Sequence, residues 1–214
     1  SRTHGGASQP HSVFNLPYAD RNQISAADKS RIGIAAARLI PDNCSVMLNI
    51  GTTTEQVARA LYAHRDLVVI SNNINVINIL SGSPSKELVL AGGTVRQSDG
   101  AIVGADAVEF IGRYKADYAI IGTSALDADG AVLDYDGREV SVARAILRNA
   151  RTGILVADAA KFAKTAPVRI CDVADLAIVV TDSPPPEEFQ AACAAADTSI
   201  VIADQDREEL HHVS

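Results

Sequence analysis

A chain of 214 residues suits one α/β domain, alone or with a small appendage. An apolar fraction of 47%, mostly Ala, Val, Ile and Leu, fills a real core, while 4% aromatics and no Trp exclude a base-stacking platform for single-stranded nucleic acid. A net charge of -7 with no block of Lys or Arg excludes direct DNA binding by this stretch of chain, which would need a basic face.

Cys44, Cys171 and Cys193 are odd in number, far apart and without a Cys-x-x-Cys pair, so they read as reduced core residues and not as a metal site. No apolar run approaches bilayer length and no signal h-region opens the chain, which predicts a soluble, cytoplasmic protein away from membranes.

Residues 1–24 are polar, with Gly5-Gly6, Pro10 and Pro17 and no sustained period; they read as a linker that lies against the body or stays mobile. Ser25 with Asp28 resembles a capping box, and the helix it opens carries Ile32, Ala35, Ala36, Leu39 and Ile40 on one face and stops before Pro41. Strands and helices then alternate: strand 45–50, helix 53–64 with Val57, Ala58, Leu61 and Tyr62 on one side, strand 67–71, helix 73–80 and strand 86–91. A turn-rich stretch leads to helix 105–113, strand 117–122, a hairpin-like piece around Asp129-Gly130, helix 138–150 and strand 152–157. Strands near 168–170 and over 176–181, helix 186–196 and strand 199–202 complete residues 25–203, and a charged tail over 204–214 ends in His211-His212-Val213-Ser214. Such alternation demands an open, mainly parallel, Rossmann-like sheet covered by helices on both faces.

The most informative junction is Met47-Leu-Asn-Ile-Gly51-Thr-Thr-Thr54. A buried strand stops at Gly51 and a helix starts at once, so Thr52, Thr53 and Thr54 and their unpaired N–H groups sit at a helix N-terminus on the C-terminal edge of the sheet. Such a place favours an anion, here a phosphorylated small molecule held without a metal or a Walker lysine. Other loops after strands converge there. Ser71-Asn72-Asn73 serves either as a helix cap or as a ligand contact. Gly92-Gly93 brings backbone close, and Arg96 after it is able to grip a phosphate in bidentate fashion, although a surface Arg after a bare turn looks the same. Ser124 and Asp127 follow the strand ending at Gly122, Glu139 and Arg144 lie in the first turns of helix 138–150, and Lys161 follows strand 152–157. Together they make a coherent anion-and-hydroxyl site, with a sugar phosphate or polyol phosphate as its ligand.

Arg2-Thr-His-Gly-Gly-Ala7, Gly51-Thr-Thr-Thr54, Ser71-Asn-Asn73, Leu90-Ala-Gly-Gly93 with Arg96, Gly122-Thr-Ser-Ala-Leu-Asp127, Glu139-Val-x-x-x-Arg144 and Asp158-x-x-Lys161-Phe162 resemble, in order and spacing over nearly the whole chain, the DeoR family of bacterial transcriptional repressors. Within it, Asn72-Asn-Ile-Asn-Val76, Asp134-Tyr-Asp136 and Thr181-Asp-Ser-Pro-Pro-Pro186 are most similar to regulators of glycerol metabolism, which implies glycerol 3-phosphate as effector. The resemblance implies a C-terminal, effector-sensing and oligomerising domain, dimeric or tetrameric. Operator DNA would be read by an N-terminal winged-helix domain that would precede Arg2. It also implies the fold of ribose-5-phosphate isomerase and related enzymes. In those, a Glu base sits where Ala143 stands and an Asp where Ser124 stands, and neither Ala nor Ser takes up and returns a proton at neutral pH. A sensor without catalytic residues, cofactor or metal is therefore expected. A sugar-phosphate isomerase or deaminase is the alternative, and a non-sensing oligomerisation module a third. Family members commonly carry Lys at the position of Ala143, so the resemblance implies the loss here of a contact either to the effector or to Glu139.

Overall fold

Runs such as Val46–Leu48 and Ile120–Ile121 are apolar at consecutive positions, so each strand has to be covered on both faces. The computed structural model describes residues 14–203 and shows how this is done. β1 (Ser45–Leu48), β2 (Leu67–Ser71) and β3 (Lys86–Leu90) are linked through α3 (Thr52–Ala60) and α4 (Ile74–Leu80), with α2 (Ala26–Ala37) ahead of them. Next come a hairpin of β4 (Thr94–Arg96) and β5 (Ala101–Val103), then α5 (Ala105–Ile111) and β6 (Ala116–Ile121). A small antiparallel sheet joins β7 (Ala125–Leu126), β8 (Ala131–Asp134) and β10 (Val168–Asp172); α6 (Gly137–Arg148) and β9 (Ala150–Val156) lie between β8 and β10 in the chain. β11 (Ile178–Thr181), α7 (Glu187–Ala195) and β12 (Ser199–Ile202) end the fold.

The main sheet has seven strands in the order β12-β11-β9-β6-β1-β2-β3, every pair parallel. Residues along each strand divide between two cores. Val46, Leu48, Ile120, Ile154, Val156 and Val180 pack with Ile32, Val57 and Val76 of α2, α3 and α4. Met47, Ala119, Ile121, Leu155 and Val179 pack with Ile111, Ile146 and Phe189 of α5, α6 and α7. After β1 the chain winds outward through β2 and β3 and then returns to lay β6 on the other side of β1. The boundary between β1 and β6 is therefore the switch point, where the loops diverge and leave a crevice at the strands' C-terminal ends.

Four local features differ from the sequence expectations. Ser25 sits in the left-handed region and makes no capping bond, and Asp28 pairs with Arg31, so the Ser25/Asp28 capping box does not form. Tyr62 is 44% exposed because the chain tightens after α3 into a 3₁₀ turn over Leu61–Ala63, which rotates it off the buried side. The turn-rich stretch forms the β4–β5 hairpin; its strands of three residues are too short to show alternation. Within the expected linker, Pro17 opens a further helix, α1 (Tyr18–Gln23), with no buried residue. The Arg2–Ala7 motif and the 204–214 tail lie outside the described residues.

Candidate functional site

Gly51, three residues past the end of β1, sits at φ +148, a backbone conformation that side chains rarely adopt, and this lets the chain turn directly into α3. The first helical bond runs from Glu55 N to Gly51 O at 3.1 Å, which leaves the N–H groups of Thr52, Thr53 and Thr54 without an intrahelical acceptor. The Thr54 hydroxyl is engaged in holding this turn: it donates to the carbonyls of Asn49 (3.0 Å) and Gly51 (2.8 Å), so it is a structural group and not a ligand contact. The hydroxyls of Thr52 and Thr53 have no partner among the described residues and line a cleft of about 20 Å³. Its opposite wall is Gly122, Thr123 and Ser124, after β6. The buried Asn49 fixes the two walls together, accepting from Gly122 N at 2.9 Å.

Titratable groups close the cleft. Lys161 reaches it from the 3₁₀ turn over Ala159–Ala163, capped by Asp158. Its ammonium has neither hydrogen bond nor ion pair among the described residues, and burial holds its pKa down to about 8. Glu139, 9% exposed, is pushed up to about 8 by burial and by the neighbouring Asp134 carboxylate, against the pull of Arg96. Burial also raises Asp134, which accepts from Ser124 Oγ (2.9 Å) and from Tyr135 N (2.7 Å). The cleft thus offers free donors on one side and a carboxyl pair that resists double ionisation on the other.

Arg96 does not grip an anion directly here. Its guanidinium is saturated by carboxylates: Asp99 at 2.6 and 2.9 Å, Glu139 at 2.9 Å and Asp136 at 3.0 Å. It fixes Glu139 beside the cleft. Asn72 and Asn73 act one step further out. Asn72 Nδ2 donates to Ile102 O (2.9 Å), docking the β4–β5 hairpin that carries Arg96. Asn73 caps α4 by accepting from Asn75 N (2.9 Å) and donates to Glu55 (3.2 Å). Gly93, at φ +143, packs against Ile102, and neither it nor Gly92 lines the cleft. Asp127 belongs to the β7–β8 turn, its N–H donating to Ala131 O at 3.0 Å, and also lies outside the cleft. Arg144 is turned away, because α6 directs it onto the carbonyls of Arg169 and Ile170 in β10, where it lines a separate cavity.

Of the expected residues, the structure gathers Gly51, Thr52, Thr53, Ser124, Glu139 and Lys161 around one cleft. It adds Asp134 and Arg21, which sequence reasoning missed as site groups. Asp134 was visible in the Asp134-Tyr-Asp136 motif, whereas Arg21 lies in a polar segment with no period to locate it. A larger cavity of about 710 Å³ adjoins, sharing Arg21, Asp134 and Glu139 and lined further by Tyr18, Asp99 and Asp136.

An open parallel sheet with a polar, titratable cleft at its switch point defines a small-ligand-binding domain of the doubly wound class. Residues 24–183 match the family described as DeoR C terminal sensor domain. The chain is 43% identical over 184 residues to a glycerol-3-phosphate regulon repressor of Haemophilus influenzae, an alignment covering 86% of this chain and 72% of the relative. It is 40% identical over 185 residues to the repressor of the same name from Escherichia coli, covering 86% and 73%. It is 34% identical to the HTH-type transcriptional repressor CsqR of Escherichia coli, covering 96% and 79%. The chain belongs to the DeoR family of transcriptional repressors, as its sensor domain. Among solved structures it is similar to ribose 5 phosphate isomerase A from Neisseria gonorrhoeae, at TM-score 0.43 and 14% identity over 64% of this chain and 53% of that one. It is also similar to eIF2B delta from Chaetomium thermophilum, at TM-score 0.49 and 13% identity over 71% and 58%. No helix among the described residues is long and apolar enough to cross a membrane.

Proposed function

We propose that residues 25–203 bind a small phosphorylated polyol, glycerol 3-phosphate foremost, and report its presence to an operator-binding domain joined through residues 1–24. The observation that carries this is the group of free donors at the switch point: three helical N–H groups, the Thr52 and Thr53 hydroxyls and the unpaired Lys161 ammonium. They meet a phosphate, while Ser124 and the Asp134–Glu139 pair meet the hydroxyls at its other end. The names of the repressors similar to this chain favour the same ligand. A homo-oligomer, dimeric or tetrameric, carries paired DNA readers whose spacing changes with occupancy. The effector shifts that balance only by its differential affinity for the two arrangements, about 1–3 kcal/mol per site.

A second reading has one specific observation behind it. Lys161 and Glu139, both brought to about 8, are the kind of groups enzymes use. Against it, Glu139 is tied to Arg96 and Ala143 supplies no base. Thermal melting separates the readings: glycerol 3-phosphate is expected to raise the melting temperature while glycerol at equal concentration does not. Ribose 5-phosphate and glucosamine 6-phosphate are expected to survive incubation with the protein unchanged. Turnover of either, or equal stabilisation by glycerol, overturns the sensor assignment.

A further inference from the structure

The cleft is narrow, about 20 Å³, and Arg21 is part of its lining, so a phosphate enters most readily if one wall gives way. Most of the lining comes from strand ends and helices of the two cores, with Lys161 on a 3₁₀ turn capped by Asp158. The remaining charged lining group, Arg21, belongs to the segment 14–23, which precedes the 24–183 stretch matched by the family and is anchored differently. Its helix α1 buries no residue. What holds it is a set of polar bonds, several of them to the site itself. Asn15 Nδ2 donates to Ser124 Oγ (3.1 Å), and the Tyr18 hydroxyl donates to Glu55 (2.7 Å) in the helix that forms the anion cradle. The buried Lys29 ammonium donates to the carbonyl of Arg21. A segment held by side-chain hydrogen bonds, with no buried residue in its helix, opens at lower cost than a packed helix.

Arg21 is the charged group of this segment. It lines both the cleft and the larger cavity, and its only ion pair among the described residues is a long one, 3.5 Å to Asp99. Asp99 does not depend on it, because Arg96 already meets that carboxylate with two shorter bonds. The Arg21 guanidinium is thus free to change partner without orphaning a buried charge.

We infer that the segment 14–23 is the movable wall of the effector site and that Arg21 is an anion ligand delivered by it. Resting on the phosphate-site reading above, this assigns a binding residue outside the family-matched domain. The incoming phosphate draws the guanidinium from Asp99 into bidentate contact, and the ligand's hydroxyls compete with Asn15 for Ser124. Occupancy is thereby written into the stretch of chain that runs N-terminally out of the sensor.

Titration of glycerol 3-phosphate into the wild-type chain, Arg21→Ala and Arg21→Lys tests this, with amide hydrogen exchange of residues 15–23 followed alongside. Arg21→Ala is expected to weaken binding about tenfold to a hundredfold, and Arg21→Lys to recover part of that affinity. In the wild type the ligand is expected to slow exchange across 15–23, and in Arg21→Ala to leave it unchanged. Wild-type affinity in Arg21→Ala, or exchange in the wild type that ignores the ligand, overturns the inference while the phosphate site stands. Absence of binding to the wild type overturns both.

Discussion

Replacing Arg96 with Met is expected to lower the unfolding free energy by about 3 kcal/mol at pH 8 and by clearly less at pH 5. Arg96 is the shared counter-ion of Asp99, Asp136 and Glu139, whose side chains are 7%, 24% and 11% exposed. Removing one partner of a buried pair leaves uncompensated charge and costs about 3–5 kcal/mol. The lower end applies because Arg96 itself is 23% exposed. The pH dependence follows from Glu139, already raised to about 8 by burial and Asp134. A carboxyl whose folded pKa lies above its unfolded one stabilises fully below the unfolded value, and that contribution is lost as pH rises through the folded value. Without Arg96, Glu139 rises further and Asp99 and Asp136 lose a downward pull, so protonation at pH 5 relieves part of the defect. Urea melts at pH 5 and pH 8 measure it. A destabilisation equal at the two pH values would show that Arg96 acts through packing alone.

Thr52→Val combined with Lys161→Ala is expected to weaken glycerol 3-phosphate binding by about 1.5–3 kcal/mol for each charge-assisted hydrogen bond removed. The wild type should also show a stronger pH dependence than the double variant, which keeps Glu139 but not Lys161. Burial depresses Lys161 to about 8, so in the unliganded protein its contribution to stability is present above its ordinary value and lost as pH falls through 8. A bound dianion reverses the preference, favouring charged Lys161 and neutral Glu139. Binding near pH 8 therefore takes up protons, and wild-type affinity falls above pH 8 by at most about tenfold per pH unit for each proton. Calorimetry in buffers of different ionisation enthalpy reads the uptake. No proton uptake together with unchanged affinity in the double variant would remove Lys161 from the site.

Much of the architecture was legible because both signals it rests on are local. Strand runs such as Leu67–Ser71 and amphipathic turns such as those of α6 show their periods within a few residues, and their alternation implies a parallel sheet. The turn into α3 at the switch point was legible for the same reason: Gly51 and three Thr residues are consecutive. The carboxylate network was not, because Arg96, Asp99, Asp136 and Glu139 meet only when the β4–β5 hairpin docks on Asn72, through a bond between residues 30 apart. Arg144 shows the converse limit. Sequence places it on the helix that carries Glu139, but five residues of helical rotation turn it toward β10. Segment 14–23 escaped notice because it holds on by side-chain hydrogen bonds, which leave no hydrophobic period.

Soaking crystals of the chain with glycerol 3-phosphate tests the central claim most directly. The account predicts phosphate density against the N–H groups of Thr52, Thr53 and Thr54, within reach of the Lys161 ammonium, and polyol density beside Ser124 and Asp134. A ligand lodged elsewhere, with this cleft still closed at full occupancy, would contradict it.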